Sequence, residues 1–191
     1  MNEPKLLHST RWVSLYEQAG WVFASRRRSA DAPRRLDAVT IIALHGDGAA
    51  SAGRRLVVLE EYRVPIGGWE FGLPAGLIDA GEDIAACAAR ELREETGFEV
   101  AEVLETSGTT YSSPGLCDES QAFVVLTCAG VPSLRPGVEG EQIKVNLLTR
   151  SDCRALLERN RAGGAAITSR AWPLLVAAAH AGSFAGVPLA P

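Results

Sequence analysis

The amino-acid sequence predicts an α/β domain of layered architecture, preceded by a small antiparallel β hairpin. Three observations support this class. Apolar, β-branched runs lie before and after one strongly helical segment, two further helical segments follow them, and two aromatic-rich runs near the amino end flank a turn. Strands mixed with helices in this way are typical of a sheet covered by helices on both faces.

The individual elements follow from local patterns. Residues 12–16 and 21–25 predict the hairpin, and residues 36–44 and 55–62 predict a second strand pair. Helical periodicity over residues 82–96 stops at a glycine, a common residue after the end of a helix. Further strands are predicted at residues 99–105, 121–127 and 142–148, and helices at residues 151–160 and about 172–181. The last ten residues, 182–191, are predicted to be poorly ordered.

Composition and charge exclude several classes of protein. The chain of 191 residues suits one main domain, and its 47% hydrophobic residues suffice for a core. A net charge of −4 does not favour nucleic-acid binding. No apolar run reaches the roughly 18 residues of a membrane span, no signal peptide is apparent, and the four cysteines lack metal-site spacing. We expect a cytoplasmic protein that binds neither nucleic acid nor membrane.

The first predicted helix carries an unusual acidic cluster. Glu91, Glu94 and Glu95 crowd onto one side of it, because residues three and four apart share a helix face. Such like charges repel, and a partly buried, unpaired carboxylate costs several kcal/mol. A solvated acidic face is the ordinary alternative for a Glu-rich helix. The fixed positions of Gly76 and Arg90 around the cluster favour a bound hard cation instead, for which magnesium is the usual choice beside phosphates.

The same region contains a recognisable motif. It reads Gly76-x5-Glu82-x7-Arg90-Glu91-Leu92-x-Glu94-Glu95-x-Gly97-Phe98. This pattern resembles the Nudix box at every defined position, and so many fixed residues at one spacing form a specific signal. The chain thus resembles the Nudix hydrolase family.

The resemblance implies a Nudix α/β/α sandwich with a mixed sheet, in which the box holds Mg²⁺, or Mn²⁺ as the alternative ion. The implied metal ligands are Glu91, Glu94, Glu95 and the main-chain carbonyl of Ala75. Glu94 and Arg90 are implied to be catalytic, with Arg90 and Glu82 orienting the cluster through charge-assisted hydrogen bonds.

The segment before the box indicates the substrate. Residues 61–79 resemble the corresponding segment of ADP-ribose and ADP-sugar pyrophosphatases, which implies that Arg63 contacts the substrate's phosphates. A surface ion pair is the alternative role of this arginine. One departure is present, because the family's acidic residue two before the Pro-Ala-Gly is Gly72 here, with Glu70 displaced by two.

A proline beyond the box points the same way. Pro114 lies sixteen residues after Phe98, near the distance that marks ADP-ribose pyrophosphatases, and Glu119 lies five residues further on. The resemblance implies that Glu119 is the catalytic base, or else that Glu141, in an acidic loop with Glu139, takes this role. We favour Glu119 and leave both open; without the resemblance, residues 112–119 read as a surface turn.

The amino-terminal aromatic residues resemble the arm of ADP-sugar pyrophosphatases that stacks on adenine and is exchanged between subunits. Trp12, Trp21 and Arg26 are the implied substrate contacts, in a homodimer. Ordinary core packing is the alternative for both tryptophans. We therefore divide the chain into a β subdomain, residues 1–36, which carries the adenine pocket and the dimer exchange, and a Nudix hydrolase domain, residues 37–191.

Together these features predict a Mg²⁺-dependent hydrolase that cleaves the pyrophosphate of ADP-ribose, or a related ADP-sugar, to AMP and ribose 5-phosphate. One alternative is a Nudix enzyme for another nucleoside diphosphate sugar or dinucleotide, such as GDP-mannose, UDP-glucose or NADH. The second alternative is a non-catalytic protein that binds ADP-ribose. Residues 167–170, before the last helix, receive no functional role from the sequence.

Overall fold

The computed structural model describes residues 3–27, 29, 32–46, 53–133 and 142–191. The amino-terminal residues form an antiparallel sheet of three strands, in the order β1 (Lys5–Ser9), β2 (Ser14–Gln18) and β3 (Trp21–Ser25). Ala19 and Gly20 both have positive φ angles, as a two-residue hairpin turn requires. The predicted hairpin is confirmed as β2 and β3, and β1 is an additional strand.

The main sheet contains nine strands within the described residues. They are β4 (Ala38–His45), β5 (Arg55–Arg63), β6 (Gly68–Gly72), β7 (Ala75–Leu77), β8 (Glu99–Thr106), β9 (Thr110–Tyr111), β10 (Ser120–Ala129), β11 (Ile143–Leu148) and β12 (Ala166–Ile167). Strands β12-β6-β5-β4-β10-β8 follow one another across the sheet, while β11 pairs with β5, β7 with β4, and β9 with β10. Strands β4 and β10 run parallel, whereas β4 and β7 run antiparallel, so the sheet is mixed.

Three helices cover the two faces of this sheet: α1 (Ile84–Thr96), α2 (Arg150–Arg161) and α3 (Ala171–His180). Every residue of β4 is buried, because successive side chains point to opposite faces and both faces are covered. Ile41 packs in the core beneath α1 with Leu92, while Ile42 packs in the core beneath α2 and α3 with Leu175. The predicted α/β/α sandwich is confirmed.

Helix α1 begins and ends at clear capping residues. The side chain of Asp83 accepts a hydrogen bond from the N–H of Ala86 at 2.8 Å, and Gly97 closes the helix at a φ of 80°. The helix was predicted to start at Glu82, but it starts at Ile84. Glu82 consequently lies outside the helix.

The carboxyl-terminal prediction is wrong. Instead of being poorly ordered, residues 182–191 form a hairpin of β13 (Ser183–Phe184) and β14 (Val187–Pro188). Leu189 is buried in the core beneath α2 and α3, and the backbone of Ala190 bonds to that of Arg54 at 2.8 Å. The apolar side chains of this segment order it by removing surface from water. None of the described helices is both long and apolar enough to cross a membrane.

Candidate active site

The acidic cluster of α1 lies against the strand β7. Because β7 is held on β4, with Ala75 opposite Thr40, the backbone of Ala75 is fixed beside the helix. Its N–H donates to Oε2 of the buried Glu95 at 3.0 Å. The next residue is Gly76, and a Cβ atom there would overlap the carboxyl group of Glu91. Glycine at this position thus leaves the space in which the carboxyl group of Glu91 lies against the strand.

Arg90 organises the carboxylates around it. Its Nε and Nη2 atoms each donate to one oxygen of Glu82 at 2.9 Å, a two-pronged pair. Nη1 donates to Glu91 at 2.7 Å and to Glu94 at 3.3 Å, and Nη2 also reaches the carbonyl of Leu77 at 2.9 Å. The hydrogen bonds from Arg90, together with one from the N–H of Asp79, lower the pKa of Glu82 to about 2.

The chemistry of this cluster fits a hard divalent cation. Glu91 and Glu95 are shielded from solvent whereas Glu94 is exposed, and all three line one cleft with Ala75. Carboxylate and carbonyl oxygens are the donors that such cations prefer. Over the described ranges, no three His, Cys, Asp or Glu side chains converge closely enough to enclose an ion, and Arg90 holds oxygens of Glu91 and Glu94.

An open cleft of about 670 Å³ brings most of the predicted site residues together. They are Arg26, Arg63, Ala75, Arg90, Glu91, Glu94, Glu95 and Glu119. The side chains come from the end of β3, from β5, from β7 and α1, and from the segment before β10. The cleft therefore combines a cluster of carboxylates with several guanidinium groups, which suits a ligand of phosphates and metal ions.

Glu119 is held on both of its oxygens. Oε1 accepts from Arg26 Nε at 2.7 Å, and Oε2 accepts from the Ser112 hydroxyl at 3.0 Å. Burial raises the pKa of this carboxyl group, but Arg26, by hydrogen bond and charge, followed by Ser112 and the charge of Arg170, outweighs burial and lowers the pKa below its usual value. Glu119 is therefore ionised at neutral pH.

The end of β3 is fastened to the loop that carries Glu119. The Ala24 N–H donates to the Leu116 carbonyl at 2.8 Å, and the Asp118 N–H donates back to the Ala24 carbonyl at 3.2 Å. Asp118 also accepts from Arg27 Nη2 at 2.9 Å, one residue along from the Arg26–Glu119 pair. We call these paired contacts the β3 clamp. It places the amino-terminal sheet at the edge of the cleft.

Arg63 carries two carboxylate partners at the other side of the cleft. Nη1 lies 2.8 Å from Glu61, and Nε donates to Glu70 at 3.0 Å. Glu70, the acidic residue that is displaced by two positions from the family's pattern, therefore holds Arg63. At Gly72, a Cβ atom would lie 3.2 Å from the Thr168 methyl group, so a larger side chain would press on the segment that leads into α3.

The predicted adenine contacts are only partly assembled. Trp21 and Pro114 line a second cavity of about 410 Å³ with Phe23 and Tyr111, separate from the cleft that contains Arg26. Trp12 does not line either cavity. It lies in the turn before β2, and the guanidinium of Arg11 lies 4.6 Å from the centre of the Trp12 ring. With 67% and 63% of their surface exposed, Trp12 and Trp21 are not core residues of this chain.

The structure leaves the acidic loop untested and adds one arginine to the cleft. Glu139 and Glu141 lie outside the described residues, so the second candidate base remains a prediction. Arg170 lines the cleft, although no role was predicted for it. A single arginine before a helix is no motif, and only the three-dimensional arrangement brings it to the carboxylates.

Comparison with known proteins identifies the family. The family model of the NUDIX domain matches residues 34–170, well over half of the sequence. The chain belongs to the Nudix family of hydrolases. A solved structure described as an ADP compounds hydrolase has a TM-score of 0.57 and 23% identity, and the match covers 92% of this chain and 93% of that one. At this identity the likeness shows the fold.

Several curated relatives carry informative names. The ADP-sugar pyrophosphatase of Mus musculus is 34% identical over 109 residues, which are 54% of this chain and 49% of that protein. The ADP-ribose pyrophosphatase of Saccharomyces cerevisiae is 38% identical over 71 residues, or 37% and 30% of the two chains. Each of these two matches thus spans less than half of the relative's own length. The ADP-ribose pyrophosphatase of Bacillus subtilis is 29% identical over 136 residues, or 71% and 68%.

Proposed function

We propose that this protein hydrolyses the pyrophosphate of ADP-ribose, or of a related ADP-sugar, to AMP and the sugar phosphate, which is ribose 5-phosphate for ADP-ribose. One observation carries the proposal: a single cleft contains the carboxylates of the Nudix helix, Glu119, and arginines from three other segments. Those are the groups needed to hold metal ions, a proton acceptor and a diphosphate. The names of the mouse, yeast and Bacillus relatives support this substrate class.

Hydrolases of this family generally use divalent metal ions. We propose Mg²⁺, or alternatively Mn²⁺, held by Glu91, Glu94, Glu95 and the carbonyl of Ala75. Such an ion, when bound, neutralises phosphate charge and makes water more acidic. Arg90 orients the carboxylates for this role through the hydrogen bonds that it donates to Glu91 and Glu94.

Glu119 is the proton acceptor for the attacking water in this proposal, with Glu141 as the alternative. Because its lowered pKa keeps it ionised at neutral pH, Glu119 is in the protonation state that a general base needs. Arg26 and Arg63 bind the phosphates, and each is already positioned by carboxylates at the edge of the cleft. Binding of a phosphate by Arg26 would compete with its contact to Glu119 and release the base beside the substrate.

The adenine and the dimer belong to the same proposal. Trp21 stacks on the base beside Pro114, in the aromatic cavity that both residues line. The amino-terminal sheet exposes large apolar side chains, namely Leu6, Leu7, Trp12, Val13, Leu15, Trp21 and Val22. A surface of this kind suits an interface with a second copy of the chain, from which Trp12 would reach the partner's base. A cytoplasmic location stays a prediction from the sequence.

The decisive experiment measures AMP release from ADP-ribose by the purified protein, with and without Mg²⁺, beside the variant Glu95→Gln. We expect metal-dependent AMP that disappears in the variant, because the amide removes a charged oxygen ligand. No AMP from ADP-ribose or ADP-sugars would overturn the substrate class, and GDP-mannose, UDP-glucose and NADH in the same assay would then identify the alternative. Binding of ADP-ribose without any hydrolysis would indicate the non-catalytic alternative.

A further inference from the structure

Arg170 is anchored in the cleft by two buried neutral side chains. It lies at the start of α3, and its Nη1 donates to Gln121 Oε1 at 2.5 Å and to Thr40 Oγ1 at 3.3 Å. The Thr40 hydroxyl in turn donates to Gln121 Oε1 at 2.8 Å. Gln121 and Thr40 are 2% and 1% exposed, so the guanidinium is held at a fixed place.

This anchor lies next to the carboxylate cluster. Thr40 is the residue of β4 that faces Ala75 across the β4–β7 pairing, and Ala75 donates its N–H to Glu95. Arg170 and Glu95 are therefore positioned through adjoining residues of one pair of strands, and both line the same cleft. A ligand held at the carboxylates through a metal ion would lie within the space that the Arg170 side chain also borders.

The charges of the cleft distinguish Arg170 from its neighbours. The other arginines of the cleft all form ion pairs. Arg26 pairs with Glu119, Arg63 pairs with Glu70, and Arg90 pairs with Glu82. Throughout the part of the chain that the structure describes, Arg170 forms no such pair, and its side chain donates to the neutral oxygens of Gln121 and Thr40. Because no carboxylate of the described residues contacts Arg170 directly, its guanidinium can bind an anionic ligand without first giving up an ion pair.

We propose that Arg170 is a substrate-binding residue whose guanidinium donates hydrogen bonds to the phosphoryl oxygens of the nucleoside diphosphate. The inference rests on the proposed function and extends it by a residue outside the Nudix box. Nη1 is occupied by the buried anchor, which leaves Nε and Nη2 for the ligand. A guanidinium fixed at one nitrogen presents the others in a set direction, which matches the oxygens of a phosphate better than a mobile side chain does.

The test measures the affinity for ADP and for inorganic pyrophosphate by calorimetry in the presence of Mg²⁺. The variants are Arg170→Gln and Arg170→Lys, with Arg154→Gln as the matched control. Arg154 on α2 also holds α3, since its Nε donates to the Ala179 carbonyl at 3.0 Å, but it does not line the cleft. We expect Arg170→Gln to weaken both ligands by about 10- to 100-fold, and Arg154→Gln to change them less than about twofold.

Equal affinities for Arg170→Gln and the wild type would overturn the inference, and so would a wild-type protein that binds neither ligand. If Arg170→Gln does not fold, Arg170→Lys tests the inference. A single ammonium group cannot both hold the anchor and replace the several donors of the guanidinium, so we expect this variant to bind both ligands more weakly by about fivefold or more. Wild-type affinity of Arg170→Lys would overturn the inference. A wild type that binds both ligands but hydrolyses no ADP-sugar would overturn the proposed function alone. Hydrolysis with unchanged binding in Arg170→Gln would overturn this inference alone.

Discussion

The carboxyl group of Glu91 occupies the position that a Cβ atom of residue 76 would take, so the side chain lies directly against Gly76. The helix α1 and the strand β7 meet at this point, and Glu91 is one of the carboxylates that Arg90 holds. The closeness of the two residues fixes where the cluster lies relative to the rest of the cleft.

Substitution of Gly76 tests this geometry. We expect Gly76→Ala to lower kcat/KM by about 100-fold or more, because the added methyl group displaces Glu91 and small misplacements in an active site are costly. Gly108→Ala is the control, since a Cβ there would meet no atom within 4 Å. Kinetics and melting temperatures of both variants provide the measurement. Wild-type activity in Gly76→Ala would show that Glu91 does not need its present position.

The Arg90–Glu82 pair predicts a specific pH dependence of stability. The pKa of Glu82 is lowered from 4.5 to about 2 in the folded protein. A lowered folded pKa gives stability that is fully present above 4.5 and is lost as the pH falls towards 2. We expect Glu82→Gln to lose this contribution, so that its melting temperature falls less steeply than that of the wild type between these pH values.

The matched control for this measurement is Glu102→Gln, at an exposed position of β8. Its melting curve should follow the wild-type slope over the same pH range. If the Glu82→Gln curve also runs parallel to the wild type, the pair with Arg90 does not contribute to stability through the charge of Glu82.

Arg26 should set the acid limit of catalysis. If Glu119 is the base, activity falls as the pH drops through its pKa, and Arg26 lowers that pKa after burial has raised it. Arg26→Ala should therefore move the acid limb of the kcat/KM profile, which reports the free enzyme, to higher pH. Arg27→Ala breaks the neighbouring pair with Asp118 and should leave the limb in place. An unmoved limb in Arg26→Ala would exclude Glu119 as the group responsible and direct attention to Glu141.

Replacement of Glu119 itself tests the base more directly. We expect Glu119→Gln to lower kcat by about 100- to 10,000-fold, the usual contribution of a positioned general base. The change in KM should be smaller, because the amide still occupies the same space. A variant with wild-type kcat would contradict the assignment, and Glu141→Gln, compared in the same assay, would then identify the alternative base.

The carboxyl-terminal hairpin predicts a stability effect far from the cleft. Leu189 is 8% exposed within the core of α2 and α3, so Leu189→Ala should destabilise the protein by about 2–5 kcal/mol. Val131→Ala, at a residue that is 80% exposed, should change the free energy of unfolding by less than about 0.5 kcal/mol. Urea unfolding followed by fluorescence measures both. Equal stability of the two variants would mean that the hairpin does not pack on the core.

The sequence predicted what depends on local spacing. Helix α1, its carboxylates and the role of Gly97 follow from residues within one helix and its ends. Contacts between distant segments could not be predicted from the sequence. The anchoring of Arg170 on Gln121 depends on the register in which β10 and β4 pair, and both strands are buried on both faces, so no alternation of side chains indicates that register.

Two errors have different physical origins. The strand predicted at residues 12–16 begins only at Ser14, because the Thr10 side chain accepts from the N–H groups of Trp12 and Val13 and forms a turn. Residues 182–191 were predicted to be poorly ordered, as the ends of a chain commonly are. Their order comes from Leu189, whose burial depends on a core assembled by other segments.

The β3 clamp has a consequence for the order of folding. The Arg26–Glu119 contact joins residues 93 positions apart, and closing so long a loop carries a larger entropic cost than the local contacts of α1. The Nudix helix and its carboxylates are thus expected to assemble before the amino-terminal sheet docks. A molecule arrested at that stage would display its acidic cluster while Glu119 still lacked Arg26, so the lowered pKa of Glu119 would be established only when the two ends of this long loop have met.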